Sequence, residues 1–480
     1  MEIIPSEYQK DIFDFAKYGY GNAVISAVAG SGKTTTVIKM LDYIKPGKKI
    51  LFLAFNTSIV EELKSKISNS NVTIKTLHSL GYSLLKSNFR DKNLEIDENK
   101  YKTKLLQYLT EIESEYSQNL KFITNVLKLC DLGRFFLVKN LNDLIFISEK
   151  YNLVILGDEI EVSFYLINWG KQSFNDINVI DYTDMIYLPN VLTLKIFKYD
   201  FVIVDEAQDL SISQMSLFMK FLKQGSRFIA VGDEKQTIYG FSGSYSESFQ
   251  KLKKIPNTIE LPLSTCYRCP KNIVKYAQKI VPEIEYYNDS IDGYINFNAK
   301  IEDVKDGDMI ICRNTLPLFK LYLKLSSQNI KCYLMGNDIC SELIELINTA
   351  QSDDIENIII DIDQYLKKIE NINSESKDSQ KYHDLEEKIE CIKIIGNNLK
   401  TKNELILKIK DLFSENKKEG ICLSTIHKSK GLEADNVYIL NKFLTPSKYA
   451  KQSWELEQER NLDYVSFTRS RKILGFLNIN

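Results

Sequence analysis

Short continuous apolar runs alternate along the chain with longer stretches whose apolar residues recur at helical spacing. AVISAVA (23–29), FVIV (201–204) and FIAVG (228–232) are too short for helices and end in glycine or acidic residues, which predicts buried strands. TTVIKMLDYI follows the first run with helical spacing, and KNIVKYAQKIV (271–281) has the same character. GDMIICRNTLPLFKLYLKL predicts a strand and then a helix, and ICLSTIHKSKGLEADNVYIL (421–440) predicts strand, polar loop, strand. Two regions lack strand runs. KTKLLQYLTEIESEYSQNLKFITNVLKL is amphipathic, and IENIIIDIDQYLKKIENI and YHDLEEKIECIKII are charged helical patterns separated by the turn-like SESKDSQK. The chain is therefore α/β, with two helical segments set into it.

Chemistry gathers where the apolar runs stop. Gly30-Ser31-Gly32-Lys33-Thr34-Thr35 joins the first strand to its helix, the context a phosphate loop requires. Backbone N–H groups and the helix N-terminus would cradle phosphates, Lys33 would reach the β- and γ-phosphates, and Thr34 would bind Mg²⁺. The usual leading glycine of this pattern is Ala27 here. The second run ends in Asp205-Glu206-Ala207-Gln208-Asp209, at the strand end where α/β folds place ligands. Asp205 suits Mg²⁺, and Glu206 suits orienting and deprotonating an attacking water. The third run ends in Gly232-Asp233, with Gln236 three residues on, able to hydrogen-bond the γ-phosphate or its water. Three strands ending in phosphate chemistry predict a P-loop NTPase that uses Mg²⁺.

Composition narrows the setting. No stretch approaches the roughly 20 apolar residues needed to span a bilayer, and MEIIPSEYQKD lacks the basic start and apolar core of a signal peptide. The expected setting is cytoplasmic, at a nucleoid or viral replication site, with no membrane partner. The net charge of −2 gives no global basic footprint, which disfavours a passive nucleic-acid coat but not a motor with a local positive stripe. Among eight cysteines only Cys266 and Cys269 form a CxxC, with no second pair to complete a zinc set.

The remaining motifs are LPLSTCYRC (261–269), the 421–440 loop and QERNLDYVSFTRS (458–470). Together with AVAGSGKT, LFLAFNTSIVEEL, KTLHSLG, DYTDMI (181–186), VIVDEAQD and VGDEKQTIYGFSG, in that order along the chain, the set resembles UvrD/Rep-type superfamily 1 DNA helicases almost from end to end. The resemblance implies two RecA-like P-loop domains with parallel sheets, each interrupted by a mainly helical insertion. It implies that the nucleotide is ATP, that Gln9 contacts the adenine edge, Tyr267 stacks on the base and Glu433 contacts the ribose. Arg268 and Arg469 become arginine fingers to the γ-phosphate, and Phe55, His78, Tyr239 and Phe241 contact single-stranded DNA. Arg313-Asn314 resembles an accessory motif near the DNA backbone.

On these motifs, residues 1–79 and 176–260 are expected to form the first RecA-like domain and 80–175 its insertion. Residues 261–336 and 418–480 form the second domain, and 337–417 a short second insertion expected to pack as a helical bundle. The expected activity is ATP-driven translocation on single-stranded DNA and at single/double-strand junctions, 3′ to 5′ by family resemblance. Alternatives are a nucleotide-switched DNA-binding module acting for a protein partner, through the insertions, and an RNA-directed motor.

Overall fold

The computed structural model describes residues 4–151, 153, 155, 157–238, 240, 248–335, 337–350, 352–372, 380–397, 399–413 and 419–479. Its packing divides the chain into two units, Met1–Val28 with Gly32–Ser264, and Ala29–Ser31 with Thr265–Asn480.

The first unit holds β1 (Asn22–Ala27), β2 (Ile50–Ala54), β3 (Val72–Thr76), β4 (Tyr199–Val204), β5 (Leu222–Gly232) and β6 (Thr258–Leu263), of which β1, β4 and β5 take up the apolar runs at 23–29, 201–204 and 228–232. They form one sheet in the order β3-β2-β4-β5-β1-β6, with every neighbouring pair parallel. A parallel sheet is covered on both faces, which is why its inner strands β1, β2 and β4 and residues 228–232 of β5 are largely apolar. Alternate residues feed two cores. Ile25, Phe52, Ile203 and Ile229 enter one, and Val24, Leu51, Val202 and Phe228 the other. β6 stays in register with β1 as far as the Ala27–Leu263 pair, so this sheet runs three residues past the division expected after residue 260.

Between β3 and β4 lie helices that include Lys100–Glu111, Leu120–Phe136, Leu141–Lys150 and Glu159–Ile177. They build a core of their own around Tyr101, Leu105, Phe122, Leu129, Leu166 and Phe174. A buried charge cluster lies among them. Asp184 accepts from Lys100 at 2.5 Å, from the Tyr101 hydroxyl at 2.8 Å and from Arg134 at 3.0 Å. Arg134 also reaches Asp181, the N-cap of helix Tyr182–Val191, at 2.8 Å. Charges tolerate such burial only when paired in this way.

The second unit holds β7 (Tyr294–Ala299), β8 (Met309–Cys312), β9 (Cys332–Leu334), β10 (Ile421–Thr425), β11 (Ala434–Leu440) and β12 (Ser470–Leu477). This sheet is also wholly parallel, in the order β7-β12-β11-β8-β10-β9. β9 and β10 are neighbours, with Cys332 opposite Ile421, so the segment between them leaves and re-enters at adjacent strands. Its helices, Asn337–Asn348, Ile355–Ile372, Gln380–Gly396 and Lys402–Leu412, do not form a separate bundle. Ile347, Ile358, Ile389, Ile392 and Leu405 share one core with Ile310 and Leu423 of the sheet and with Leu318 and Phe319 of helix Thr315–Ser327.

Candidate functional site

The strand order of the first sheet assembles the phosphate-facing site. β4, β5 and β1 are consecutive neighbours, so the residues that follow them emerge side by side at one sheet edge. Asp205 and Glu206 follow β4, Asp233 follows β5, and the glycine loop follows β1 into helix Lys33–Met40. Lys33 Nζ lies 2.9 Å from Glu206 Oε1. Gln208 Nε2 donates to the other Glu206 oxygen at 2.5 Å, and its Oε1 accepts from the Asp233 N–H at 3.1 Å. Gln236 donates to Asp233 at 2.7 Å.

Electrostatics mark this cluster as a place that wants a cation. Burial, helped by neighbouring Glu206 and opposed by Lys33, pushes the Asp205 carboxyl up to about 6. Burial does the same to Asp233, again to about 6 and against the pull of Lys33. Burial alone would lower Lys33, but the Glu206, Asp233 and Asp205 carboxylates outweigh it and raise it. Glu206 itself sits at φ +50°, a left-handed backbone that a non-glycine residue holds at some cost and that recurs at functional sites.

The loop fits a nucleotide. Gly32 has φ +76°, and a Cβ built there would meet nothing within 4 Å, leaving room above the loop. The Ser31 hydroxyl is buried and has no hydrogen-bond partner among the described residues, an unusual state for a buried polar atom. Lys33 and the loop amides suit phosphate oxygens, and Asp205 with Thr34 suits Mg²⁺. Among the described residues no three His, Cys, Asp or Glu side chains group as a metal site, so a metal here would complete its shell with water and nucleotide oxygens. Gln9 is buried. It closes the capping box of helix Glu7–Tyr18 with Ser6 and donates to Thr36, one turn beyond the loop, at 2.9 Å.

The second unit holds its expected nucleotide residues differently. Arg268 is paired with Glu433, which also takes Arg471, and its Nη1 reaches the Thr468 carbonyl at 3.3 Å. Arg469 is only 1% exposed. Its guanidinium donates to the Val465 carbonyl at 2.8 Å, the Leu432 carbonyl at 3.3 Å and the Thr468 hydroxyl at 3.2 Å. Tyr267 is partly exposed, its ring 5.1 Å from that of Tyr287. Gly30 packs with this unit: its carbonyl accepts from the Tyr267 N–H at 2.9 Å, and a Cβ on it would lie 2.6 Å from Arg268 Cβ.

Phe55 and His78, both expected on DNA, follow the adjacent strands β2 and β3, which stay paired as far as Ala54 and Thr76. Phe55, just after β2, is 52% exposed. His78 meets Tyr182 edge-on at 6.4 Å, and burial lowers its pKa. Arg313, just after β8, is largely buried in a two-pronged pairing with Glu459, at 2.8 and 3.0 Å. Tyr239 and Phe241 lie outside the described residues.

Sequence reasoning missed Gln208, Tyr464 and Glu459. Gln208 bridges Glu206 and Asp233, and its place inside DEAQD was an available signal. The Tyr464 hydroxyl accepts from the Ala29 N–H at 2.8 Å, and Glu459 holds Arg313; neither pairing has a local spacing that reveals it.

Comparison with known proteins bears on these residues. A family profile described as the UvrD/REP helicase N-terminal domain matches residues 9–257, and one described as the UvrD-like helicase C-terminal domain matches 320–479. Tyr267, Arg268 and Arg313 fall between the two. The ATP-dependent DNA helicase Rep of Buchnera aphidicola (subsp. Schizaphis graminum) is 25% identical, over 95% of this chain and 91% of its own length. F-box DNA helicase protein 1 of Schizosaccharomyces pombe is 23% identical over 94% of this chain and 55% of its own length. Rep of Escherichia coli is 24% identical over 54% of this chain and 41% of its own length. The chain thus spans about half the length of the latter two.

Proposed function

The chain belongs to the UvrD/Rep helicase family, and on that premise we propose that it is an ATP-dependent motor that moves on single-stranded DNA, 3′ to 5′, and separates strands at junctions. The observation that carries the reading is the convergence of Lys33, Asp205, Glu206, Asp233 and Gln236 at the ends of adjacent parallel strands. Gln9, Gly30, Ser31, Gly32, Thr34 and Thr35 bind the nucleotide with Lys33. Thr34 and Asp205 would hold Mg²⁺, which would supply charge neutralisation at the phosphates. Glu206 orients and deprotonates the attacking water. Its pairing with Lys33 restrains it until phosphate oxygens compete for the lysine, so base strength appears only with substrate in place.

Arg268 and Arg469 act as arginine fingers, with Tyr267 on the base and Glu433 at the ribose. Because these residues belong to the second RecA-like domain, phosphate charge gives the two domains a reason to close, and its loss on hydrolysis removes that reason. Phe55, His78, Tyr239, Phe241 and Arg313 grip the strand, and alternating grip becomes stepping.

A strand-displacement assay tests this, using DNA and RNA duplexes with overhangs of both polarities. ATP-dependent displacement of DNA from a 3′ overhang is expected. Displacement only with RNA would reassign the substrate, and nucleotide-gated binding without displacement would make the chain a switch.

A further inference from the structure

Resting on the reading of the chain as a single-strand motor, we propose that the second insertion forms part of the strand-binding surface through a pocket built by His383, Tyr449, Lys448 and Lys451, which takes one nucleotide of a single strand, base on ring and phosphate on lysine. The pocket encloses about 400 Å³ and is lined by these four residues, two segments that are distant in sequence. His383 comes from helix Gln380–Gly396 of the insertion, and the others from the loop before helix Ser453–Phe467. The two rings are stacked, 4.0 Å between centroids and 16° apart in plane. Lys448 Nζ stands 4.9 Å from the Tyr449 centroid, and both lysines are exposed.

Both walls are tethered to the Arg313-Asn314 pair. Arg313 binds Glu459, whose other oxygen accepts from the Ser447 N–H at 2.8 Å, which fixes the loop. Asn314 binds Glu387, which also accepts from the Leu316 N–H at 3.5 Å, which fixes the insertion helix. Glu387 lies four residues after His383 on that helix, so the two share one face, and the tether turns His383 toward the loop. Glu386 accepts from His383 Nδ1 at 3.0 Å and orients the imidazole. Lys448 and Lys451 line the pocket with the Glu386-bound His383, and Glu455 accepts from the Lys451 N–H at 2.9 Å. An aromatic platform flanked by cations is the general device for holding single strands without sequence preference. The arrangement also explains why the insertion is built into the core of the second unit: a strand-gripping surface that steps with a domain must be rigid with it.

The test uses the full chain and a fluorescent oligo(dT). Lys448→Gln with Lys451→Gln is expected to weaken binding several-fold and to flatten log Kd against log salt by about 0.7, the share of the one phosphate no longer neutralised. ATP turnover without DNA should stay within two-fold of wild type, since neither lysine touches nucleotide. Unchanged affinity and slope, with wild type binding oligo(dT) normally, overturns the pocket and leaves the motor intact. A wild-type chain that binds no single strand overturns both readings. Photocrosslinking of 5-iodouracil-substituted oligonucleotide to wild type gives an answer free of folding effects: adducts within 380–387 or 447–452 are expected, and adducts confined to other segments refute the proposal.

Discussion

The two RecA-like domains are each built on six parallel strands but hold their charged residues in opposite states. In the first, Lys33, Glu206, Asp205 and Asp233 face one another at strand ends, and the two aspartate carboxyls are held above their ordinary range by burial. In the second, Arg268 is taken by Glu433, and Arg469 is engaged by main-chain carbonyls and a hydroxyl. One half is short of cations and the other has its cations occupied at home. On the proposed roles, Asp205 offers Mg²⁺ a carboxylate, while Lys33 must exchange its Glu206 partner for phosphate oxygens. On the same proposal, Arg268 and Arg469 exchange their own oxygens for phosphate oxygens, and their removal is expected to act on turnover more than on affinity.

The sharpest way to break this contrast is Arg469→Ala. Turnover should fall by roughly 10³ or more while nucleotide affinity stays within a few-fold, as for other arginine fingers. A fluorescent-nucleotide titration beside steady-state ATPase assays separates the two quantities, and an unchanged thermal midpoint shows that the buried site still folds. Equal losses in both would place Arg469 in ground-state binding.

Glu206→Gln comes next, with a loss of about 10²-fold or more in turnover and spared binding, because shape is kept and the base is removed. Lys33→Ala should weaken binding as well. A Glu206→Gln protein that retains more than about a tenth of its turnover would falsify the base assignment.

Much of this was legible in the sequence for a physical reason. β1, β4 and residues 228–232 of β5 are largely buried on both faces, so they read as apolar runs, and the carboxylates after β4 and β5 follow from where such strands end. The Glu433 clamp on Arg268 and Arg471 was not legible, nor were the Arg313–Glu459 and Lys100–Asp184 pairs. Their partners are set by sheet order and helix packing, and no spacing along the chain records them. The two insertions make the same point. Both read as amphipathic helices, yet one surrounds its own core and the other completes the core of its domain.

Smaller effects sharpen the picture. Phe55→Ala removes an exposed ring and should cost about 1–3 kcal/mol of single-strand affinity, the usual worth of a stacked base, measured by titration with oligo(dT). An unaltered Kd would take Phe55 off the strand path.

The smallest effect concerns pH. Asp205 and Asp233 have carboxyls near 6 in the nucleotide-free protein, so below that they are protonated and neutral, and above it they are anionic. Raised carboxyl pKa values favour the fold while protonated, and that contribution is lost as pH rises through about 6. Mg²⁺ replaces the missing positive charge only when the carboxylates are ionised. Added Mg²⁺ should therefore raise the thermal midpoint at pH 7.5 by more than at pH 5. A shift equal at both pH values would remove these carboxylates from metal binding.

The central claim, that nucleotide hydrolysis at the Lys33–Glu206 cluster serves movement on a single strand, is tested most directly by ATP turnover of the wild-type chain with and without saturating oligo(dT). A steep rise, tenfold or more and absent in Glu206→Gln, is the expected result. A rate that is the same with and without DNA would contradict it.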